Sequence, residues 1–271
     1  MADFDLDAYF ARIGYGGPAT PTLETLTALQ AAQVASIPFE NLNPLMGLPV
    51  NLDLETLQAK LVASRRGGYC FELNALFKTA LEAIGFQVTG LAARVRWMAP
   101  PDAPLSGRSH MLLQVDLADG PYLADAGFGA HLLDAPLRLE PGLEQSTPWA
   151  RYRLNETGGA LTLEANLAGE WRALYLFNFD PALPADYEIY NWATSTQPHS
   201  LFRNLLIAER LTGTSRYNLV NTQFTERRPD GSVVERTLSG AGELGEVLEA
   251  VFNIESPAPV EAVFAKLTAA A

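Results

Sequence analysis

The chain has 271 residues, 48% of them hydrophobic and 18% charged, which is a globular composition long enough to bury a sizeable core. Its formal net charge of −12 argues against DNA or another polyanion as the main partner, while leaving room for a small anion where cations and backbone N–H groups gather. A single cysteine excludes an internal disulfide, and no apolar run approaches the ~20 residues that span a membrane. The start, Met1-Ala2-Asp3-Phe4-Asp5, lacks the basic head and apolar run of a signal peptide, so the expected setting is a reducing cytoplasm.

The first third has helix period. Leu6, Tyr9, Phe10 and Ile13 fall on one face, and Gly14 and Gly16 stop the run. Thr20-Pro21 predicts a cap and a first-turn proline for a second helix carrying Leu23, Leu26 and Leu29. Asp53 caps a third with Leu54, Leu57 and Leu61. A fourth starts near Cys70, has the stripe Leu73, Phe77, Leu81, Ile84, and ends at Gly85. Beyond Gly85 the period shortens. FQVTGLAARVRWM, HMLLQVDL, PYLAD, ARYRLN, ALTLEA and WRALYLFN are β-rich segments separated by Gly, Pro, Asp and Asn, and predict an antiparallel sheet or barrel. ADYEIYNWATSTQ reads as a helix. Two or three strands follow across 203–237 with a turn at Pro229-Asp230-Gly231, then helices near 241–253 and 258–269. The expected class is α+β in three parts: residues 1–85 helical, 86–190 β, and 191–271 a mixed cap.

Cys70 stands in RRGGYCFELN, residues 65–74. An unpaired cysteine is often simple core filler. Here Gly67-Gly68 free the backbone to lie close to another surface. The helical period that follows puts Cys70 in a first turn, where partial positive charge and unpaired N–H groups favour a thiolate. Arg65 and Arg66 are further cations near it. The same N–H groups suit an oxyanion.

A nucleophilic thiolate needs an imidazole, and the chain has only His110, His131 and His199. His110 opens the strand His110-Met111-Leu112-Leu113-Gln114-Val115. The next strand, Tyr122-Leu123-Ala124-Asp125, ends in an acid that needs a partner if buried. Register is the difficulty. A two-residue turn at Asp119-Gly120 sets Asp125 opposite Gln114, four residues from His110 or roughly 13 Å along the strand. A His110–Asp125 contact therefore calls for a longer loop over 116–119 or a bulge.

RGGYCFELN resembles the signature of the arylamine N-acetyltransferases, an Arg-Gly-Gly-x-Cys-x-Glu-x-Asn pattern. IPFENL at 37–42, SH at 109–110 and DAGFG at 125–129 are similar to that family's other landmarks, in its order, and the likeness runs from about residue 4 to 205. The resemblance implies a Cys-His-Asp triad of Cys70, His110 and Asp125. It also implies a cysteine-protease-like core, with an N-terminal helical bundle, a central antiparallel β-barrel and a C-terminal α/β lid. The activity implied is acetyl transfer from acetyl-CoA to an arylamine, arylhydrazine or arylhydroxylamine, through an acetyl-cysteine and ping-pong kinetics. No permanently bound cofactor is implied; CoA is a cosubstrate.

By the same resemblance the aromatic acceptor slot takes Phe39, Tyr69 and Phe128, with Phe202 in QPHSLF added. Independently of the resemblance, the candidates for the CoA side are Trp97, Ser109, Gly127 and Gly129, the glycines as bearers of N–H groups for ligand oxygens. Arg94, Arg96 and Arg108 are further cations for its phosphates. Glu40 and Arg66 are expected in a buried network holding the loop before Cys70. His131 and His199 are expected in the core or at the surface, and their spacing predicts no metal site. Two other enzymes remain open: an amide synthase of the same fold closing a macrolactam, and a cysteine peptidase or transglutaminase-like hydrolase. A binding module with a retired site is a third alternative.

Overall fold

Asp5 opens the first helix, α1 (Leu6–Ile13), by accepting the Ala8 N–H, and Gly14 ends it in the left-handed conformation. The structure, a computed structural model, describes residues 3–100 and 102–269. Met1 and Ala2, part of the stretch read against a signal peptide, lie outside the described residues. The next helix, α2 (Leu23–Ser36), starts later than Thr20-Pro21 suggested. Thr22 is the cap and accepts the Thr25 N–H, while Thr20 is spent in a turn whose carbonyl takes the Thr22 N–H at 2.8 Å. Strand β1 (Phe39–Glu40) and helix α3 (Leu42–Met46) are too short to show a period in sequence. Asp53 caps α4 (Leu54–Leu57), which runs on into a π-helical turn at 58–63. Helix α5 (Cys70–Ile84) ends at Gly85, as its stripe predicted.

Eight antiparallel strands follow: β2 (Gln87–Val95), β3 (His110–Leu117), β4 (Gly120–Ala124), β5 (Leu137–Arg138), β6 (Gln145–Ser146), β7 (Arg151–Thr157), β8 (Ala160–Leu167) and β9 (Glu170–Phe177). Their order is β5-β4-β3-β2-β9-β8-β7-β6. The sheet curls into a nearly closed barrel. At the seam the Gln145 side chain accepts the Arg138 N–H at 2.7 Å and donates to the Arg138 carbonyl at 2.9 Å.

Strand alternation sorts the side chains. Leu91, Ala93, Leu112, Leu123 and Tyr175 fill the barrel. Ala92, Met111, Leu113 and Val115, one step out of phase, pack with Phe71 and Phe77 of α5. Each such phenylalanine contributes about 2 kcal/mol by burial. The helices and the barrel thus share one apolar seam, along which α5 lies on β2 and β3.

Helices α6 (Pro184–Thr196) and α7 (Leu201–Asn204) lead to β10 (Ile207–Leu211), β11 (Arg216–Val220), β12 (Gln223–Arg227) and β13 (Val233–Thr237). The cap holds four strands where two or three were expected. Gly231 turns the chain between the last two, its N–H donating to Arg228. Helix α8 (Ala241–Glu246), a π-helical turn at 247–251 and α9 (Val260–Ala269) complete the chain. Strand β1 pairs antiparallel with β10 and becomes the edge of this second sheet, ordered β1-β10-β11-β12-β13. No helix among the described residues is long and apolar enough to cross a membrane.

Candidate active site

The loop before Cys70 lies directly on β1. A Cβ on Gly67 would come within 2.1 Å of the Pro38 carbonyl, so only glycine fits there. Gly68 donates to Pro38 at 3.3 Å and accepts the Glu40 N–H at 2.9 Å. The Tyr69 N–H then donates to Glu72 at 3.1 Å, the back-reaching half of a capping box. Cys70 is the first helical residue of α5 and is 3% exposed. Burial raises the Glu72 carboxyl, opposed by Lys60 at 2.6 Å.

Neither arginine of the motif faces the sulfur. Arg65 points outward to Glu249 at 2.8 Å. Arg66 donates twice to Glu40, at 3.0 and 2.6 Å, and once to Asn43 at 2.8 Å. The other Glu40 oxygen accepts the Leu42 N–H at 2.7 Å. The buried Glu40–Arg66 network expected behind the loop is therefore present, and any positive field at Cys70 comes from the helix start and His110.

His110 is the first residue of β3 and shares the inward face of Leu112. The hairpin after it matches neither geometry weighed from sequence. Leu117 pairs with Gly120 and Leu113 with Ala124, so the loop is Ala118-Asp119, one position from the expected Asp119-Gly120. Asp119 is anchored there by Tyr122 at 2.7 Å and Arg138 at 3.1 Å. The chain leaves the ladder at Asp125, which reaches His110 diagonally with no bulge between β3 and β4. His110 Nε2 and Asp125 Oδ2 are 2.7 Å apart.

Asp125 is fully buried and receives four donors. Oδ2 takes His110 and the Tyr175 hydroxyl at 2.9 Å; Oδ1 takes Asn74 and the Gly127 N–H, each at 2.9 Å. Burial pushes its carboxyl up, but the His110 charge and these donors outweigh burial and hold it below the usual carboxylate range. Burial likewise pulls His110 down, yet Asp125 and then a hydrogen bond and charge from Cys70 push it up to about 10. The Cys70 thiol also faces the Ser109 carbonyl at 3.6 Å.

Two residues of this group escaped the sequence reading. Asn74 also donates to the Met111 carbonyl at 2.7 Å and accepts the Ala126 N–H at 2.9 Å. Its signal was its place one turn after Cys70, on the same helix face. Tyr175 carried only the inward parity it shares with Phe177.

Phe39, Tyr69 and Phe202 form one aromatic group, and Phe128 borders His110. Phe202 lies 5.9 Å from Phe39 and 5.3 Å from Tyr69 between ring centres, and Phe128 lies 5.0 Å from His110. A Cβ on Gly129 would stand 2.3 Å from the Phe39 ring, which ties the Phe128 loop to Phe39. The Tyr69 hydroxyl bonds to Asn191 of α6.

Among the residues assigned to the CoA side, Gly127 and the arginines already have partners. The Gly127 N–H is occupied by Asp125, so it is not open to a ligand oxygen; the residue must be glycine because a Cβ would sit 2.8 Å from the Cys70 Cα. Trp97 packs at the rim of the barrel core. Arg94 binds the Ser106 carbonyl, Arg96 those of Pro100 and Ala103, and Arg108 binds Asn178 and Asp180. His131 is buried and its imidazole is held well below its usual range by burial, Arg216 and Arg227. His199 is exposed. Among the described residues no three His, Cys, Asp or Glu side chains group as a metal site.

The N-acetyltransferase family pattern matches residues 22–259. The chain is 44% identical over 252 residues to the arylamine N-acetyltransferase of Mycolicibacterium smegmatis, a match spanning 92% of this chain and 90% of that one. The solved M. smegmatis arylamine N-acetyl transferase superposes with a TM-score of 0.93 at 41% identity, covering 97% of this chain and 98% of that one. The Mycobacterium marinum arylamine N-acetyltransferase in complex with CoA superposes at 0.90 with 39% identity, covering 97% and 99%.

Proposed function

The chain belongs to the arylamine N-acetyltransferase family, and from that premise we propose that Cys70, His110 and Asp125 are its catalytic triad. In this reading it carries an acetyl group from acetyl-CoA to the nitrogen of an arylamine, arylhydrazine or arylhydroxylamine. The observation that carries the reading is His110, bonded to Asp125 at 2.7 Å, with the Cys70 thiol at the start of α5 facing the carbonyl of the residue before it, Ser109, at 3.6 Å.

The Cys70 thiolate attacks the thioester carbonyl, and N–H groups of the first turn of α5 hold the oxyanion. CoA leaves as its thiol, taking the proton of the His110 imidazolium. Acetylation removes the Cys70 charge, and with it part of what raised His110, so the ring becomes a better-matched base. An amine then attacks the acetyl-cysteine, gives its proton to His110, and the Cys70 thiolate departs. Asp125 stays ionised throughout and orients the ring. Two half-reactions in one pocket give ping-pong kinetics.

Phe39, Tyr69, Phe128 and Phe202 form the acceptor slot, which suits aryl nitrogens that are neutral at pH 7 and rejects charged alkyl amines. CoA binding by this chain is supported by its likeness to the M. marinum protein solved with CoA. Trp97 and Ser109 serve the CoA side, and Gly127 and Gly129 serve it by letting their loop pack against Cys70 and Phe39. Residues 1–85 and 86–190 are the helical bundle and barrel of a cysteine-protease-like core, and 191–271 the lid. A reducing cytoplasm keeps the thiol competent.

The test is intact-protein mass after mixing with acetyl-CoA alone. The expected result is a gain of one acetyl group, absent in Cys70→Ala and lost when an arylamine is added. A gain that survives in Cys70→Ala, or CoA release only after amine is present, overturns the mechanism.

A further inference from the structure

A buried ion pair behind the slot grips the loop that carries Phe128. Glu209 of β10 accepts the Leu132 N–H at 3.1 Å, and Arg216 of β11 donates to the Leu132 carbonyl at 3.0 Å. The two side chains are joined to each other at 2.5 Å. Together they satisfy both backbone groups of one residue, as a neighbouring strand would. Gln30 fixes the next carbonyl, of Leu133, at 3.1 Å, and the His131 N–H closes a turn back to Phe128 at 3.0 Å. The path from the pair to Phe128 is thus a short, bonded turn.

Glu209 is also the ladder partner of Phe39 across β1 and β10. Its backbone is registered to one wall of the aromatic slot, and its side chain holds the loop bearing the other. The walls meet where the Phe39 ring lies on Gly129.

Stability alone explains this pair poorly. Two charges withdrawn from water are costly, and hydrocarbon of the same shape often serves as well or better. The surroundings are also incompletely paired. Glu209 Oε2, Gln30 Oε1, His131 Nε2, Asp134 Oδ2 and the Tyr152 hydroxyl are buried without a hydrogen-bond partner among the described residues. What the charged pair supplies, and hydrocarbon does not, is a directed bond to each backbone group of one residue.

We infer that Glu209 and Arg216 are positioning residues that set the spacing of Phe39 and Phe128, and so decide which ring-substituted amines the acetylated Cys70 accepts. The inference rests on the function proposed above. Its test compares kcat/KM for aniline and 4-ethoxyaniline in the full chain, with Cys70 acetylation by acetyl-CoA followed in parallel. The ratio of the two amines is independent of how much protein is folded.

The double variant E209L/R216M leaves no lone buried charge, and its ratio is expected to shift about ten-fold or more. E209Q keeps an oxygen for the Leu132 N–H and is expected to stay near the parent ratio. R216K keeps the charge but loses the fork that reaches Glu209 and Leu132 together, and should shift it. A folded, acetylating E209L/R216M with the parent ratio overturns the inference; if the double variant does not fold, an unchanged R216K does so. Failure of the parent itself to acetylate Cys70 would remove the premise, and the inference with it.

Discussion

Asp125 and Glu209 are equally hidden, at 0% and 1% exposure, yet their surroundings treat the charge in opposite ways. Asp125 has two donors on each oxygen, and the cation His110 keeps its carboxyl below the usual range against the pull of burial. Glu209 has a full arginine beside it, but both of its bonds land on Oε1; burial prevails and its carboxyl is raised. A cation alone does not offset the burial of an acid. Donors on every lone pair do. The fully solvated-by-protein acid is the one aimed at the imidazole, and the half-satisfied one is aimed at a peptide.

The sharpest way to break this contrast is Asp125→Asn. The amide carries no charge and turns an NH₂ towards existing donors. Acetyl transfer to Cys70 is expected to fall about 10⁴-fold, read as rapid CoA release. A near-parent rate would show that charge at 125 is not what holds His110. Glu40→Gln examines a third buried acid, tied to Arg66. It should cost about 3 kcal/mol in urea unfolding, because Arg66 loses its counter-charge, while turnover per folded molecule persists. An unchanged melting temperature with lost turnover would reverse that assignment. Asn74→Ala removes one of the four donors and unpairs the Ala126 N–H and the Met111 carbonyl. About 2 kcal/mol of stability should go with it, again read in urea.

The remaining effect is a slope with pH. His110 is raised above its unfolded value of 6.5 to about 10, so the stability it contributes is complete below about pH 6.5 and is lost as pH rises through about 10. Cys70→Ala removes the thiol proton from the balance. Its melting temperature should decline from pH 6.5 upward, and Cys70→Ala/His110→Gln should lack that decline.

Much of the site could be read from the chain because its signals are local. The period after Cys70 located the helix start, and a strand beginning at His110 and an acid just past the end of the next placed the two side chains that meet. Misreadings arose where side chains, not backbone preference, decided the outcome. Asp-Gly favours a turn in isolation, but Tyr122 and Arg138 pull Asp119 into the second loop position and shift the register. Arg65 and Arg66 sit beside Cys70 in sequence and turn away from it, because their carboxylates come from Glu249 and Glu40. Strand β1 has two residues and exists only because β10, far along the chain, offers it an edge. Tyr175 reaches Asp125 across 50 positions, a distance no motif spans.

The barrel seam has a mechanical side. Every other strand joint is a ladder, whereas β5 and β6 are stitched by one glutamine amide to one arginine backbone. Thermal breathing should begin at this weakest stitch. Deuterium should enter amides at 137–138 and 145–146 before those of β2 or β3, and Gln145→Ala should widen that lead.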